Sequence, residues 1–396
     1  MADLIIRNGT MFAKAESTEG TAVSAAAGDA ILATGIAINY GQEIHPRQYQ
    51  GAPGVRAPVA GAKLGTTISF QTELKGNGTT TLPEVDELLT ACLGQVVAAN
   101  LDSTISGTSG TTTVWDVADA SNASTGSMVM LETGTEGTYE VAGLITTVDT
   151  GATPDDVTVS IAAVNGGYAT NGKKVKEMRT WSPLLPPSAV NSCTFDLYHN
   201  PDSGAGQRDR VVGARGTFKV DSPRAGAIPM FSWTFTGWSW TTVTNGTRPT
   251  PTYDTASPKA ALATRFAVDG TAVNAFDISI DLGATVSQKL SQNATDGVYG
   301  CPHVSYQPSG SFKIHPAHTS VAEFTAWTAN TQRSLLLQVG NTLYGTWAIF
   351  IPKMVTTKVS RVDDGGVGAL QIDWVAIEQD DALATASDAS FYIGLG

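Results

Sequence analysis

The chain has 396 residues, 42% hydrophobic and only 15% charged, a composition that excludes an intrinsically disordered protein and supplies two or three domain cores. Its net charge of −12 argues against a protein that grips nucleic acid, because such binding needs lysine and arginine to displace phosphate counterions. The charge does not exclude a protein that lines a channel for DNA, because a negatively charged wall repels phosphate and would not bind the DNA.

Residue usage predicts a mainly β protein. Glycine is abundant at 41 residues, Thr and Val runs are frequent, and long apolar stretches with a 3.6-residue period are scarce. The N-terminus has no apolar core of signal-peptide length, and the apolar run TWAIFIPKMV is too short to span a bilayer. We therefore expect a soluble protein made in the cytoplasm. Its odd set of cysteines, Cys92, Cys193 and Cys301, should be reduced and mostly buried.

Two strands joined by a long arm come first in the chain. Residues 30–40 are typical of a strand, and residues 66–74 alternate cleanly between apolar and polar positions. Between them, residues 41–65 are rich in Gly and Pro and carry Arg47 and Arg56. A connection of this length is typical of a functional arm or a disordered loop.

A short helix is predicted after the second strand. Gly76-Asn77-Gly78 forms a turn, Pro83 suits the first helical turn, and Gly94 is a plausible end. The apolar positions between them fall at helical spacing and form one stripe, at Val85, Leu88, Leu89 and Cys92. We expect this helix to pack on a sheet.

Residues 98–180 differ in composition and predict an inserted β-domain. They are dense in Thr, Ser, Gly and Asp, and their strand candidates SMVMLE, TYEVAGLITTVD and DVTVSIAAV have the even spacing of a small barrel or sandwich. After them NSCTFDLYHN, GTFKVD and PMFSWTFTGWSWTTV resume the strand pattern.

The order strand, arm, strand, helix occurs twice. Ile36 and Phe70 are 34 positions apart, as are Ile278 and Phe312, which gives an offset of 242 between the two units. A later strand, glycine-bearing hairpin and strand repeat at an offset of 140. The difference of about 102 residues is close to the size of the proposed insert.

These offsets predict a tandem duplication of a β-rich domain with an insert in the first copy. The hairpins are matched by laying Gly226 on Gly366. Chance similarity between glycine-rich β segments is the alternative. The predicted units are residues 1–97 and 181–258 for the first module, 98–180 for the insert and 259–396 for the second module.

One group of residues has the chemistry of a metal site. Thiolate and imidazole suit zinc, but the Cys-x-His spacing is too tight for the usual paired knuckle, and the segment is already predicted as arm plus strand. We favour solvated loop histidines and expect no metal and no cofactor. The group comprises Cys301, His303, His315 and His318.

No motif indicates an enzyme. GTSGT at 107–111 lacks nucleophile-elbow spacing, and DDGGVG at 363–368 lies between two strands without the helix that a phosphate loop requires. Acidic turns are commoner than catalytic pairs, so no catalytic role is predicted for Asp363, Asp364, Glu378, Asp380 and Asp381. Core or subunit-interface packing is favoured over a stacking platform for Trp233, Trp238 and Trp240.

Two segments of the first module resemble a known family. The strand TTISFQTELKGNG followed by LPEVDELLTACLG, and the downstream VVGARGTFKVDSPRAGAIPMFSWTFTG, are similar to stretches of the tail tube proteins (major tail proteins) of long-tailed bacteriophages. Together with the arm at 41–65, the likeness covers both sides of the insert. The second copy departs from the pattern, since GSFKIHPAHTSVAEFTAW lacks the Gly-x-Gly and Leu-Leu elements.

The resemblance implies a structural virion protein of packed β-sheets with short flanking helices, and the repeat described above would make these duplicated β-sandwich or barrel modules. Subunits would join their sheets into rings, and rings would stack into a tube around a tape-measure protein, between tail terminator and tip proteins. Viral DNA would pass through the lumen without specific binding. Three chains of two modules each are favoured, with a hexamer as the alternative.

Contacts between subunits or rings are expected from the arm at 41–65, through Arg47, Tyr49, Arg56 and Val59, and from the matching arm at 283–309. The insert would decorate the outside of the tube. The alternative function is a virion or cell-surface adhesin that binds glycans through the insert and the tryptophans. A polysaccharide hydrolase is a third hypothesis and would need a close carboxylate pair in a cleft.

Overall fold

The structure is a computed structural model that describes most of the chain. The described residues are 9–51, 54, 56–76, 82–106, 113–133, 136–152, 154–160, 172–184, 189–199, 206–222, 224–262, 264–316, 321–378 and 389–396. The fold is mainly β, as predicted, with antiparallel sheets and two short α-helices in the described residues.

The predicted arm and helix of the first module lie between its strands. The elements are β1 (Thr10–Ala15), β2 (Ala30–Ile31), β3 (Thr34–Asn39), β4 (Ile44–Arg47), β5 (Arg56–Ala60), β6 (Thr67–Glu73) and α1 (Asp86–Leu93). After the insert follow β15 (Cys193–His199), β16 (Gly206–Ser222), β17 (Met230–Thr236) and β18 (Ser239–Gly246). The helix predicted from residues 83–94 is therefore confirmed as α1.

The region between α1 and β15 forms a six-stranded sheet and a separate pair of strands, which we call the stem. Its strands are β7 (Gly94–Val97), β8 (Asp102–Thr104), β9 (Val114–Val117), β10 (Met128–Glu132), β11 (Tyr139–Asp149), β12 (Asp155–Ser160), β13 (Lys174–Glu177) and β14 (Arg179–Pro183). Six of them form one sheet in the order β8-β13-β10-β11-β12-β9, while β7 pairs with β14 to form the stem.

The remaining elements follow β18. They are β19 (Arg265–Val268), β20 (Thr271–Ala272), β21 (Ala275–Asp281), β22 (Thr285–Val286), β23 (Lys289–Leu290), β24 (Val298–Gly300), β25 (His303–Ser305), β26 (Ser309–Ile314), α2 (Ala322–Thr328), β27 (Arg333–Val339), β28 (Trp347–Asp364), β29 (Val367–Ala376) and β30 (Tyr392–Leu395). The domain boundaries drawn from the sequence stay a prediction.

Eight strands pair in one antiparallel series, in the order β3-β6-β17-β16-β21-β26-β29-β28. Four of them, β3, β6, β16 and β17, come before β18 in the chain, and the other four come after it. The two groups meet where β16 pairs with β21. We call this series the eight-stranded sheet.

Alternation of side chains gives the eight-stranded sheet one apolar and one polar face. In β6 and β17, Phe70 and Trp233 are buried, whereas their neighbours Gln71 and Thr234 are exposed. The apolar face packs on α1 and on the outer sheets in the main core. The opposite face carries mostly Ser, Thr and Gln and has no layer of strands packed over it in the described part of the chain.

The pairing register of β3 with β6 recurs in β21 with β26. Ala37 lies opposite Ser69, and Ser279 lies opposite Ser311, so both partners are displaced by 242 positions. This is the offset found in the sequence between Ile36 and Ile278.

The irregularity in these two strand pairs recurs as well. The register shifts between Thr34 and Ala37 in β3 and between Phe276 and Ser279 in β21. A positive φ occurs within each shift, 63° at Gly35 and 49° at Asp277. A bulge re-aims a strand, so its repetition makes the two strand pairs alike in shape as well as in sequence.

The second offset also recurs, with one difference. Phe195 lies opposite Val211 and Leu335 opposite Ile351, which is a displacement of 140 on both strands. Further along, β28 contains a register shift between Thr356 and Lys358, and beyond it the offset becomes 141 in β28 and 139 in β29. The single offset of 140 is therefore wrong for the hairpin, because a bulge adds one residue to β28.

Two outer sheets complete the sandwich. The long strands β16 and β28 leave the eight-stranded sheet and pair in their other halves with β15 and β18, and with β27 and β30. Beyond these, β1 and β2 extend the first outer sheet, and β19 and β20 extend the second on one side. The stem strands β14 and β7 extend the second outer sheet next to β30.

The inserted sheet is packed on the second outer sheet. One of its faces forms a separate core around Trp115, Val129 and Ile145. Residues of its other face, Met130 and Val141 among them, share a buried cluster with residues of β27, β28 and β30. The insert therefore covers an apolar surface of the second half of the chain.

Candidate functional site

The two ends of the eight-stranded sheet are free strand edges. Among the described residues, β3 pairs only with β6, and the part of β28 beyond Met354 pairs only with β29. A free edge presents unpaired N–H and C=O groups and is a template for pairing with another chain. These edges are therefore the first candidate for an intermolecular contact.

The junction inside the chain joins the strands that correspond to these two edges. Lys219 to Ser222 of β16 pair with Asp281 to Ile278 of β21. At the offsets of 141 and 242, these segments correspond to residues 360–363 of β28 and residues 39–36 of β3. The chain thus contains one paired junction, and the segments that correspond to its two sides lie at the two free edges of the eight-stranded sheet.

The arm at 41–65 is an exposed hairpin. Its strands β4 and β5 pair only with each other in the described residues, and every one of their residues is exposed. Arg47 donates two hydrogen bonds to the Tyr49 hydroxyl, at 3.1 and 2.8 Å, and the Arg47 and Arg56 guanidinium groups lie 5.4 and 5.5 Å from the Tyr49 ring centroid. Val59 is 50% exposed.

The base of this arm is fixed to the first module. The Tyr40 hydroxyl donates a 2.5 Å hydrogen bond to Asp209, which also contacts His199 and Thr242. Burial opposes ionisation of Asp209, but hydrogen bonds from Thr242, Tyr40 and His199 outweigh it and lower its pKa. Burial and the Asp209 carboxylate raise the pKa of Tyr40, so the tyrosine stays a donor.

The arm at 283–309 is folded against the first module. The buried Arg215 guanidinium donates a hydrogen bond to the Cys301 carbonyl at 3.1 Å and contacts Glu19 at 2.7 Å. The Trp238 indole N–H donates to the Val298 carbonyl. The two predicted arms therefore differ, since the hairpin of β4 and β5 is exposed whereas the second arm is packed on the first module. The base of the first arm is also held, because Lys63 lies 3.0 Å from Asp296 of the second arm.

His303 fastens this second arm to helix α1. Its Nε2 donates a hydrogen bond to the Ala91 carbonyl at 3.1 Å, and its ring stacks on Tyr306. Burial lowers the pKa of His303 to about 4. The prediction of a solvated loop histidine is wrong here, because the arm folds back and buries the ring.

The other zinc candidates are not gathered into a site. Cys301 is buried and unpaired, while His315 is part-exposed, stacks on Phe276 and lies 3.3 Å from Asp364. His318 lies outside the described residues. Within the described ranges, no group of three or more His, Cys, Asp or Glu could hold a metal ion.

The remaining sequence candidates take structural positions. Trp233 is buried in the core, and Trp240 packs edge-on against Tyr40. Asp363 accepts a hydrogen bond from the Gly366 N–H in the turn between β28 and β29. Asp380, Asp381 and the GTSGT segment lie outside the described residues.

The polar face of the eight-stranded sheet carries more acids than bases. Two lysines are paired there, Lys219 with Asp221 at 3.1 Å and Lys313 with Asp277 at 2.7 Å. The charged positions on the strands of this face are Glu73, Asp221, Asp277, Asp281, Asp364 and Asp373 against Lys219, Lys313 and Lys358. The face is thus mildly negative with short hydroxyl side chains between the charges.

Sequence reasoning did not single out the residues at the two free sheet edges. Residues 36–39 and 360–363 have no unusual composition, and their position at an edge follows only from strand order. The repeat offsets were the available signal, because they relate both segments to strands in the middle of the chain.

No protein-family model matches the sequence, and no match was found among curated proteins. Neither helix in the described part of the chain is long and apolar enough to cross a membrane.

Proposed function

We propose that this chain is a structural protein that closes into rings by pairing β28 of one copy with β3 of the next, and that stacked rings form a bacteriophage tail tube. The single observation that carries the proposal is the β16–β21 junction. It joins two similar four-stranded units edge to edge, and the same two kinds of edge remain free at the ends of the series. Head-to-tail contacts of this kind close into a ring when the rotation permits.

The proposed register follows from the internal junction. Transferring the pairs of β16 and β21 by the two offsets sets Ala37 opposite Val362, and Asn39 opposite Ser360. Closure would pair both edges and so remove the aggregation hazard that each presents in the monomer.

The proposed ring has room for a channel. Three copies would place about 24 strands in a closed sheet at about 4.8 Å each, a circumference of about 115 Å and a diameter of about 37 Å between backbones. Strand tilt widens such a barrel further. We propose three copies, which present six similar modules, and six copies would double the diameter.

The polar face of the eight-stranded sheet would line the channel. Its excess of acids over lysines would repel a phosphate backbone, and its short Ser and Thr side chains offer no cationic cluster for DNA to grip. The opposite face already packs on the core and is unavailable. In this arrangement the tube would enclose a tape-measure protein, and DNA would later pass through the channel without specific binding. The protein would act in the virion.

Negative-stain electron microscopy of the concentrated wild-type protein tests this proposal. We expect hollow rings or tubes with threefold symmetry in top views. Sixfold symmetry would retain the tube and overturn the count of three. A protein that stays monomeric even with tail extract as seed would overturn the tube, and glycan binding by that monomer would favour an adhesin.

A charge-swap pair controls for nonspecific aggregation. Ala37 is exposed and Val362 is half-buried, so substitutions there should leave the monomer folded. Ala37→Lys with Val362→Lys sets like charges opposite each other and should block ring formation. Ala37→Lys with Val362→Glu sets opposite charges there and should restore it.

A further inference from the structure

The two helices correspond to each other but differ in how they are covered. Each follows a valine N-cap, Val85 or Val321, and each is followed within two residues by a residue of positive φ, Gly94 or Asn330. These landmarks align the helices at an offset of 236. Six residues of α1 are buried, whereas none of α2 is, although the structure describes the whole of both helices.

The second arm, at residues 283–309, buries part of helix α1. The second arm follows β21, the strand that pairs with β16 at the internal junction, and it reaches α1 of the first module through His303 and the Ala91 carbonyl. At an offset of 236, Ala91 corresponds to Trp327. That tryptophan is 37% exposed, an unusual position for a large aromatic side chain.

The exposed hairpin of β4 and β5 in the first arm corresponds to the part of the second arm that contacts α1. Both arms are hairpins, with Ile44 opposite Ala60 in the first and Val286 opposite His303 in the second. The residue of the first arm in the place of His303 is therefore Ala60, next to the exposed Val59. Within the chain, the large His303 of the second arm contacts the small Ala91 of α1. On the exposed surfaces the sizes are reversed, with the small Ala60 on the first arm and the large Trp327 on α2.

We infer that Val59 and Ala60 in the first arm of one copy pack on Trp327 in helix α2 of the adjacent copy. This inference rests on the proposed ring, because the pairing of β3 with β28 is what brings the first arm to α2 of the neighbour. In this arrangement, a second copy of this chain covers helix α2. The arm thereby acts as a clamp across each junction between subunits, as the second arm does within the chain.

The helix substitution Trp327→Glu tests the contact. We expect it to lower the fraction of protein in rings about tenfold or more at a fixed concentration, because buried interface tryptophans dominate binding. The matched control is Thr325→Glu, which adds the same charge at an exposed position on the other side of the helix and should assemble within about twofold of wild type. A second variant, Val59→Glu, places the charge on the arm and should reproduce the loss without altering the helix.

Cross-linking separates this inference from the proposed ring. Chains with Ala60→Cys are mixed with chains with Thr328→Cys and treated with a short bismaleimide, since the native cysteines are all buried. A mixed dimer supports the arm contact. Rings that form normally with Trp327→Glu, without this cross-link, overturn the arm contact and leave the ring standing. Wild-type protein that neither assembles nor cross-links overturns both.

Discussion

At the scale of single residues, His303 links arm burial to pH. Its ring is buried, and its pKa falls from the ordinary value of 6.5 to about 4. Between these two pH values His303 binds a proton in the unfolded chain but stays neutral in the folded chain. Its contribution to the free energy of unfolding is therefore complete above pH 6.5 and is lost as the pH falls toward 4.

We predict that His303→Gln flattens this part of the pH dependence. Between pH 7.5 and pH 5, the wild type should lose about 2 kcal/mol more free energy of unfolding than the variant. Urea unfolding at both pH values measures the difference. Equal losses in both proteins would show that His303 is already charged or exposed in the folded state.

At the scale of elements, the insert is held to the second module by a buried glutamine. Gln338 in β27 accepts a hydrogen bond from the Val141 N–H at 2.9 Å and donates one to the Tyr139 carbonyl at 3.0 Å. At the corresponding positions of the first module, Arg210 binds Asp196 where the second module has Phe350 and Leu336. Beside this ion pair, the small buried cluster of Phe12, Ala30 and Tyr198 is packed against Ala25 and Tyr253 instead of an inserted domain.

We predict that Gln338→Met destabilises the protein by about 2–3 kcal/mol, because two buried backbone groups of β11 lose their partners. The half-buried Gln371 offers a matched control, and Gln371→Met should change stability by less than about 0.5 kcal/mol. Urea unfolding compares the two. Equal effects would mean that the insert is not anchored through this residue.

Local periodicity was sufficient to predict some elements and insufficient for others. Alternation predicted β6, helical spacing predicted α1, and the two offsets anticipated strand registers that recur. The burial of His303 and the docking of the insert depend on contacts such as His303 with Ala91, 212 positions apart, which leave no periodic signal. The extra residue in β28 changes a register without changing the pattern on either side.

At the scale of the whole molecule, the two ends of the eight-stranded sheet differ from each other. One end presents the edge of β3 with the exposed hairpin of β4 and β5, and the other presents the edge of β28 with helix α2, in which no residue is buried. Near the middle of this sheet, one chain pairs β16 with β21 and joins α1 to the second arm. The central claim is that copies repeat the central junction at their ends.

Disulfide trapping at the proposed junction tests this claim most directly. Opposed Cβ atoms in an antiparallel pair lie about 4.5–5.5 Å apart, within reach of a disulfide after a small adjustment. We predict that Ala37→Cys with Val362→Cys gives oxidised species of two and three chain masses. The control pair Ala37→Cys with Ser360→Cys is two residues out of register and should cross-link far less. Equal trapping by both pairs, or none by either, would contradict the proposed junction.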